Sequence, residues 1–495
     1  MEPTRERCDI VVVGGGSAAF ATAVAAREAG AQRVIIVEKA PLAESGGNAM
    51  FSHTGFRFAN RGAAEIREFL PHIADEPFAK MHIPPYTQDD FMNDLVAVTQ
   101  GRIDRALATV LVEDSNSAVH WMLQLGIPWD VGSHIVVDGE LFFGPGINIH
   151  PTGGGRGQIA AWREIAAAHG IEVRYDTPVS GLLGNTRRVT GVRVDGPDGE
   201  VEIEARAVIL CAGGFQASRE MRARYLRGKP DFMKVRGTRH DTGEVLRMAL
   251  ELGARGAGEW QGAHATPIDA GSPDFEVPVR SDGMGSWTNR YSYQYGITVN
   301  RLGRRFFDEG EAHQGYTYAK TGAAVLDQPG GTAFQIFDQT GIALIRPHAE
   351  MHLETKVEAG TLEALADALQ IPREPLLATI AAFNAAIDGS KPFDPTQSDG
   401  RTTAGVNPPK TNWATAIVAP PFRGYPITGG ATFTFGGLEI TTDAQVVGMT
   451  GRPIEALYAV GDISGMFFHN YPAFTGQTRN VVFARRAARH ALRSC

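Results

Sequence analysis

The stretch FFDEGEAHQGYTYAK at residues 306–320 gathers acids, a histidine, a glutamine and two tyrosines behind the strand-like YGITVN. Such a group suits either proton transfer or a solvated turn. His313 can take or give a proton near neutral pH, whereas Gln314 beside it cannot. A second polar group, His469-Asn470-Tyr471, stands just before a helix-start signal running from Pro472 to Thr478. A helix N-terminus there favours negative charge that develops in a reaction. His469 and Tyr471 are therefore candidates to line a substrate cavity, although Tyr471 suits a core position with its hydroxyl bonded equally well.

These groups need a scaffold, and the first forty residues supply its outline. CDIVVVGGGSAAFATAVAAREAGAQRVIIVEKA reads as strand, tight turn, helix, strand. Gly14, Gly16 and Ala19 match G-x-G-x-x-G/A: the first makes the turn, the second lets the backbone approach a pyrophosphate, and the third lets the helix lie on the strand. Ser17 and Ala18 open the helix, whose free N–H groups attract phosphate. Glu38 follows the second strand, where a carboxylate accepts both hydroxyls of a ribose and repels a 2′-phosphate, with Lys39 next to it.

Later segments select FAD among the dinucleotides. Gly46-Gly47-Asn48 is a backbone-exposing loop, ARAVILCAGGFQ ends a strand in Ala212-Gly213-Gly214, and IEALYAVGDISG ends another in Gly461-Asp462. Gly155 and Gln158 of GGGRGQ, Val179, and Gly476-Gln477-Thr478 complete the expected cofactor contacts. The expectation is non-covalent FAD and no metal.

The chain of 495 residues is long enough for two domains with a sizeable core. Its 43% hydrophobic and 21% charged content is that of a globular protein, and its net charge of −8 argues against a nucleic-acid or anionic-membrane partner. Cys8, Cys211 and Cys495 are too widely spaced for a zinc site or a disulfide framework. No run is long enough to span a membrane, and the N-terminus lacks the pattern of a signal peptide. These features lead to the expectation of a cytoplasmic enzyme.

The motifs VVVGGGSAAFATAVAAREAG, EKAPLAESGGN, GGGRGQ, WQGAHATP, VNRLGRRFFDEGE, YTYAK, YPITGGATFTFGGL and FFHNYP together resemble the flavoprotein family of fumarate reductase and succinate dehydrogenase. Within it the chain is most similar to the tricarballylate dehydrogenases. The resemblance implies an α/β fold: a Rossmann-like FAD-binding domain interrupted by an inserted α+β capping domain, with the substrate between the cap and the flavin. Residues 1–262 and 422–495 are expected to form the FAD-binding domain and residues 263–421 the cap.

The resemblance also assigns roles. His264 of WQGAHATP matches a substrate-facing histidine, with Gln261 and Thr266 completing its motif; the other role open to it is a bond within its own turn. The family's proton-transferring arginine is replaced at Gln314, so the proton falls to His313, His469 or Tyr471, with His264 also among the candidate catalytic residues. Arg57, Arg280 and Arg290 remain as carboxylate holders alongside Gln314. Ser52-His53-Thr54 echoes the sequence around the histidine that carries covalent flavin in succinate dehydrogenases, but it follows the glycine pair instead of preceding it, so His53 is expected to be unlinked.

The expected activity is dehydrogenation of adjacent carbons in a small polar, carboxylated substrate by hydride transfer to flavin. A redox protein, a quinone or oxygen would accept the electrons. An FAD oxidase or oxygenase, and a non-catalytic flavin-binding redox protein, are the other readings.

Overall fold

The computed structural model describes residues 4–52, 55–197, 199–228, 230–276, 288–345 and 355–494, in which two sheets contribute to the walls of one deep cavity. The first sheet rests on runs too apolar to face water. Ile10–Val13, Val34–Val37 and Val208–Leu210 are wholly buried, as parallel strands covered on both faces must be. Thr4–Val13 pairs in parallel with Val34–Val37 on one side and Gly199–Leu210 on the other. Glu172–Arg174 and Pro453–Ala459 extend the row in parallel.

The register of this sheet positions the chemistry. Val13 lies opposite both Val37 and Leu210, and Leu210 lies opposite Ala459. These strands stop at one level. The residues that follow, Gly14, Glu38, Cys211 and Val460, therefore emerge together at the carboxyl ends of the strands, where open α/β sheets bind ligands. Helices Ser17–Glu28 and Thr475–Ser494 pack against each other. Buried alanines on both, including Ala19, Ala23, Ala484 and Ala488, allow the close approach.

Phe422–Thr434, expected to open the return to the first domain, is instead the spine of the second sheet. It pairs antiparallel with Ala263–Asp269, Ala333–Phe337 and Val357–Ala359, and in parallel with Lys234–Val235. Ile297–Asn300 joins against Ala333–Phe337. By sheet membership the chain crosses back after Thr434 and not at 421, and one short strand comes from before 262. Gly429-Gly430 sits mid-strand. A Cβ at Gly429 would come within 2.5 Å of Leu326, and one at Gly430 within 2.6 Å of Ile268. These glycines mark tight packing.

The segment 306–320 also differs from expectation. Its second half is not loop: Gln314–Leu326 is a helix that lies on Ala263–Asp269. Its N-cap is His313, whose Nδ1 accepts the Gly315 N–H at 3.2 Å. Helices Leu362–Ala368 and Arg373–Ala385 supply Leu365, Leu376, Ile380 and Phe383 to a second core with Ile297, Val299 and Ile336 of the sheet. Among the described residues no helix is long and apolar enough to cross a membrane.

Candidate active site

The cavity has a volume of about 1200 Å³ and runs from the strand ends of the first sheet to an inner chamber beneath the second. At the strand ends, Gly14 has φ +113° and a Cβ there would stand 2.4 Å from the Cys211 carbonyl oxygen, so only glycine fits. Gly16 caps a helix with no acid in its first turn, leaving the N-terminal field positive. Ser17 and Ala18 line the cavity here.

Glu38 is buried, and its Oε1 accepts the Ala40 N–H at 2.7 Å. Burial pushes its pKa up against the pull of the Ala40 and Gly15 amides. Lys39 is paired with Glu244 at 2.9 Å. Gly47, Asn48, Val179, Ala212, Gly213, Gly461, Asp462, Gly476 and Gln477 also reach the cavity wall. The arrangement of a glycine turn, a positive helix end and an acid on the neighbouring strand fits an adenine dinucleotide.

Other residues expected at the cofactor act from behind the wall. Gly46, in left-handed conformation, precedes the turn Gly47–Phe51. A Cβ on Gly155 would fall 1.8 Å from the Ala49 carbonyl oxygen, so Gly155 permits a helix to pack under that turn. Gly214 is pressed against Thr434, and Thr478 donates to the Arg57 carbonyl at 2.7 Å. The Gln158 amide is buried, with no hydrogen-bond partner among the described residues.

Two acids at this end have strongly perturbed environments. Asp462 is partly buried beside Arg479, and desolvation raises its pKa. Asp241, which the sequence did not single out, lies against Gly213 and accepts from Gln216 Nε2 at 2.7 Å. Burial, reinforced by the Asp462 carboxylate, pushes it up to about 8.

The inner chamber centres on Arg236, which the sequence also did not single out. The strand Lys234–Val235 ends just before it, and its backbone N–H donates to Ala431 of the central strand at 2.8 Å. The side chain is buried and lines the cavity. Nε donates to Asn289 Oδ1 at 2.7 Å and Nη1 to Thr432 Oγ1 at 3.0 Å, both neutral oxygens. Burial works against its charge, but Tyr291 and Glu276 outweigh it and the pKa is raised. Asn48 helps fix this wall: its Oδ1 accepts the Thr238 N–H at 2.9 Å and its Nδ2 donates to the Thr432 carbonyl.

Around Arg236 stand His264, Tyr291, Tyr318, Phe433 and Tyr471, all on the cavity. His264 is 2% exposed and neither ring nitrogen has a hydrogen-bond partner among the described residues. Burial and the Arg236 charge hold its pKa well below the usual histidine value, so the ring is neutral. The Tyr318 and Tyr471 hydroxyls are 2.8 Å apart. Burial raises both; the hydrogen bond from Tyr318 eases Tyr471 down, so that Tyr471 stands at about 12 and is the more acidic of the pair.

The remaining expected residues divide. His313 and Gln314 reach the cavity. His469 does not: its backbone N–H is tied to Glu259, its φ is +61°, and its ring lies off the lining. Gln261 is exposed and accepts from Arg227, and Thr266 lies buried within the second sheet, off the cavity. Arg57 is buried in a cluster with Tyr86 and Asp94, and Arg290 is paired with Asp269 at 2.6 Å, so neither guanidinium lines the cavity. Arg280 and His53 lie outside the described residues. Spacing alone could not separate Arg236 from these arginines; the signal is an arginine whose described hydrogen bonds go to neutral groups.

Comparison with known proteins agrees with this architecture. A family model described as FAD binding domain matches residues 9–478. A probable fumarate reductase of Shewanella frigidimarina is 29% identical over 508 residues, covering 98% of this chain and 76% of its own. The open conformation of a flavocytochrome c3 fumarate reductase superposes with a TM-score of 0.71 at 26% identity, covering 100% of this chain and 79% of that one. A 3-ketosteroid delta1-dehydrogenase from Sterolibacterium denitrificans shares the fold, with a TM-score of 0.75 at 20% identity and coverage of 99% and 100%.

Proposed function

Because the chain belongs to the FAD binding domain family and is an FAD-dependent oxidoreductase with an FAD-binding domain and a capping domain, we propose that it interconverts a saturated and an α,β-unsaturated carboxylate, with Arg236 holding the carboxylate. The observation that carries this reading is a buried guanidinium on the cavity wall whose described hydrogen bonds go only to neutral oxygens. A carboxylate placed there completes a charge-assisted pair with a buried guanidinium. The finer likeness to tricarballylate dehydrogenases is kept only as far as a carboxylated substrate. The cap comprises residues 263–434 together with Lys234–Val235, and the return to the FAD-binding domain begins at 435.

In the oxidative direction a C–H bond gives up its electron pair with hydrogen, the adjacent carbon loses a proton, and a C=C bond forms; reduction is the reverse. Bound FAD supplies the two-electron acceptor or donor. The chain must move the proton, and Gln314 has no group that can. Tyr471 is placed for it: it lines the chamber, shares the ring cluster with His264, and its oxygen is held by Tyr318. His264, neutral, offers an N–H and a lone pair to orient substrate.

Stopped-flow measurement of flavin reduction by a saturated acid, and of its reoxidation by the matching enoic acid, tests both assignments. Tyr471 must be ionised to accept a proton, so oxidation of the acid rises with pH throughout pH 6–9, about tenfold per unit, without levelling. The same group is protonated over that range, so reduction of the enoic acid stays flat. Tyr471→Phe slows both by about 10²–10⁴-fold. A rise centred near 6.5 returns the role to a histidine. Arg236→Gln that leaves substrate affinity unchanged removes the carboxylate anchor.

A further inference from the structure

We infer that the inner chamber takes a monocarboxylate whose remaining body is apolar and aromatic, and not a small di- or tricarboxylate. This rests on the assignment of Arg236 as the carboxylate anchor and asks what the rest of the chamber accepts. Among the described residues, the lysine and arginine side chains on the cavity are Lys39 and Arg236. Lys39 is committed to Glu244 at the Glu38 end, which leaves Arg236 as the lysine or arginine that the described residues bring to the chamber. Arg57 and Arg290, the other deeply buried arginines expected near substrate, are neutralised by Asp94 and Asp269.

A second carboxylate would therefore enter without a described Lys or Arg to meet it. It would also feel Glu276, whose negative charge already reaches Arg236. Burying an unpaired carboxylate among these buried side chains is opposed by its desolvation, which outweighs any residual attraction to a single guanidinium.

What the chamber offers in place of charge is ring surface. Centroids of His264 and Tyr471 are 4.9 Å apart, of Phe433 and Tyr471 5.2 Å, and of Tyr291 and Tyr318 5.1 Å, with steep mutual tilts. Such a wall presents edges and faces at the separations aromatic pairs prefer. Its polar edges include His264, with both nitrogens unpartnered among the described residues, the Tyr291 hydroxyl, and the Tyr318–Tyr471 pair. Toward the opening the lining turns aliphatic, with Ile135, Val136, Leu344 and Ile345, of which Val136 is 60% exposed. The sequence of environments is one cation, then rings, then aliphatic side chains. It matches a molecule with one charged end and an apolar body.

Isothermal titration calorimetry on the FAD-loaded full chain, kept anaerobic, compares 3-phenylpropanoate and cinnamate with succinate, fumarate and tricarballylate. The aryl monocarboxylates are expected to bind at least tenfold more tightly than any of the polycarboxylates. Arg236→Gln, checked for unchanged FAD content, is expected to weaken them about tenfold or more, while Phe433→Ala weakens the aryl acids and leaves succinate unaffected. Tighter binding of succinate or tricarballylate overturns the monocarboxylate inference; if Arg236→Gln abolishes that binding, the anchor itself stands. Equal binding of every acid by wild type and Arg236→Gln overturns the anchor. No binding of the aryl acids overturns the inference on its own.

Discussion

At the scale of single residues, the cavity separates groups whose roles are local from groups whose roles are made by distant partners. Gly14, Gly16 and Glu38 were legible because the reason for each lies within one strand–turn–helix unit. Arg236 and Asp241 were not, because what distinguishes them is burial among side chains brought from far along the chain. Asp241 carries a measurable signature. Its folded pKa, pushed to about 8 by burial and by Asp462, lies above the ordinary carboxylate value. The unfolded chain therefore loses this proton first. Stability from the group is full at pH below about 4 and is lost as pH rises through 8, by up to about 1.4 kcal/mol per pH unit within that window. Urea denaturation of the apo protein at pH 5, 7 and 9 should show this fall in the wild type and a shallower one in Asp241→Asn. Parallel slopes would mean that the carboxyl is ionised throughout.

At the scale of elements, the parallel strands could be read from their β-branched runs, and their common end point followed from the motifs placed there. The cap could not be read so well, since its central strand contains paired glycines whose reason lies in their contacts with Leu326 and Ile268. Arg57 shows the same limit. Sequence offered it as a carboxylate holder, but it joins elements: Nε donates to the Ala473 carbonyl at 2.9 Å, and Nη1 donates to the Tyr86 hydroxyl at 2.9 Å and to Asp94 at 3.0 Å. Tyr316 of the cap helix donates to the same Asp94 carboxylate at 3.0 Å. Arg57→Met leaves Asp94 and two hydroxyls without their cation and should lower the unfolding free energy by about 3 kcal/mol, toward the low end for a broken buried pair because Asp94 is a quarter exposed. A loss under about 1 kcal/mol in chemical denaturation would show that the cluster holds nothing together.

At the scale of the whole molecule, the two lobes meet across the cavity, so ligand binding and global stability are coupled. FAD at about one hundred times its Kd should add about 2.7 kcal/mol to unfolding. For a cooperative unit of this size that raises Tm by about 3 °C. A thermal melt with and without added FAD, followed by filtration of the denatured sample, checks this together with the expectation of a non-covalent cofactor. Flavin retained with the denatured chain would contradict the latter.

The central strand Phe422–Thr434 has a consequence for recombination among relatives. It is contiguous in the gene with the returning segment, yet its hydrogen bonds go to Ala263–Asp269, Ala333–Phe337 and Val357–Ala359. A chimera that exchanges residues 263–421 would seat a foreign set of neighbours on a native middle strand, with register to be re-established on both sides at once. Crossovers placed before Lys234 and after Thr434 carry the whole hydrogen-bonded set across intact. They also transplant Arg236, Thr432 and Phe433 as one block, so in this architecture the inner wall of the cavity is inherited with the sheet that supports it.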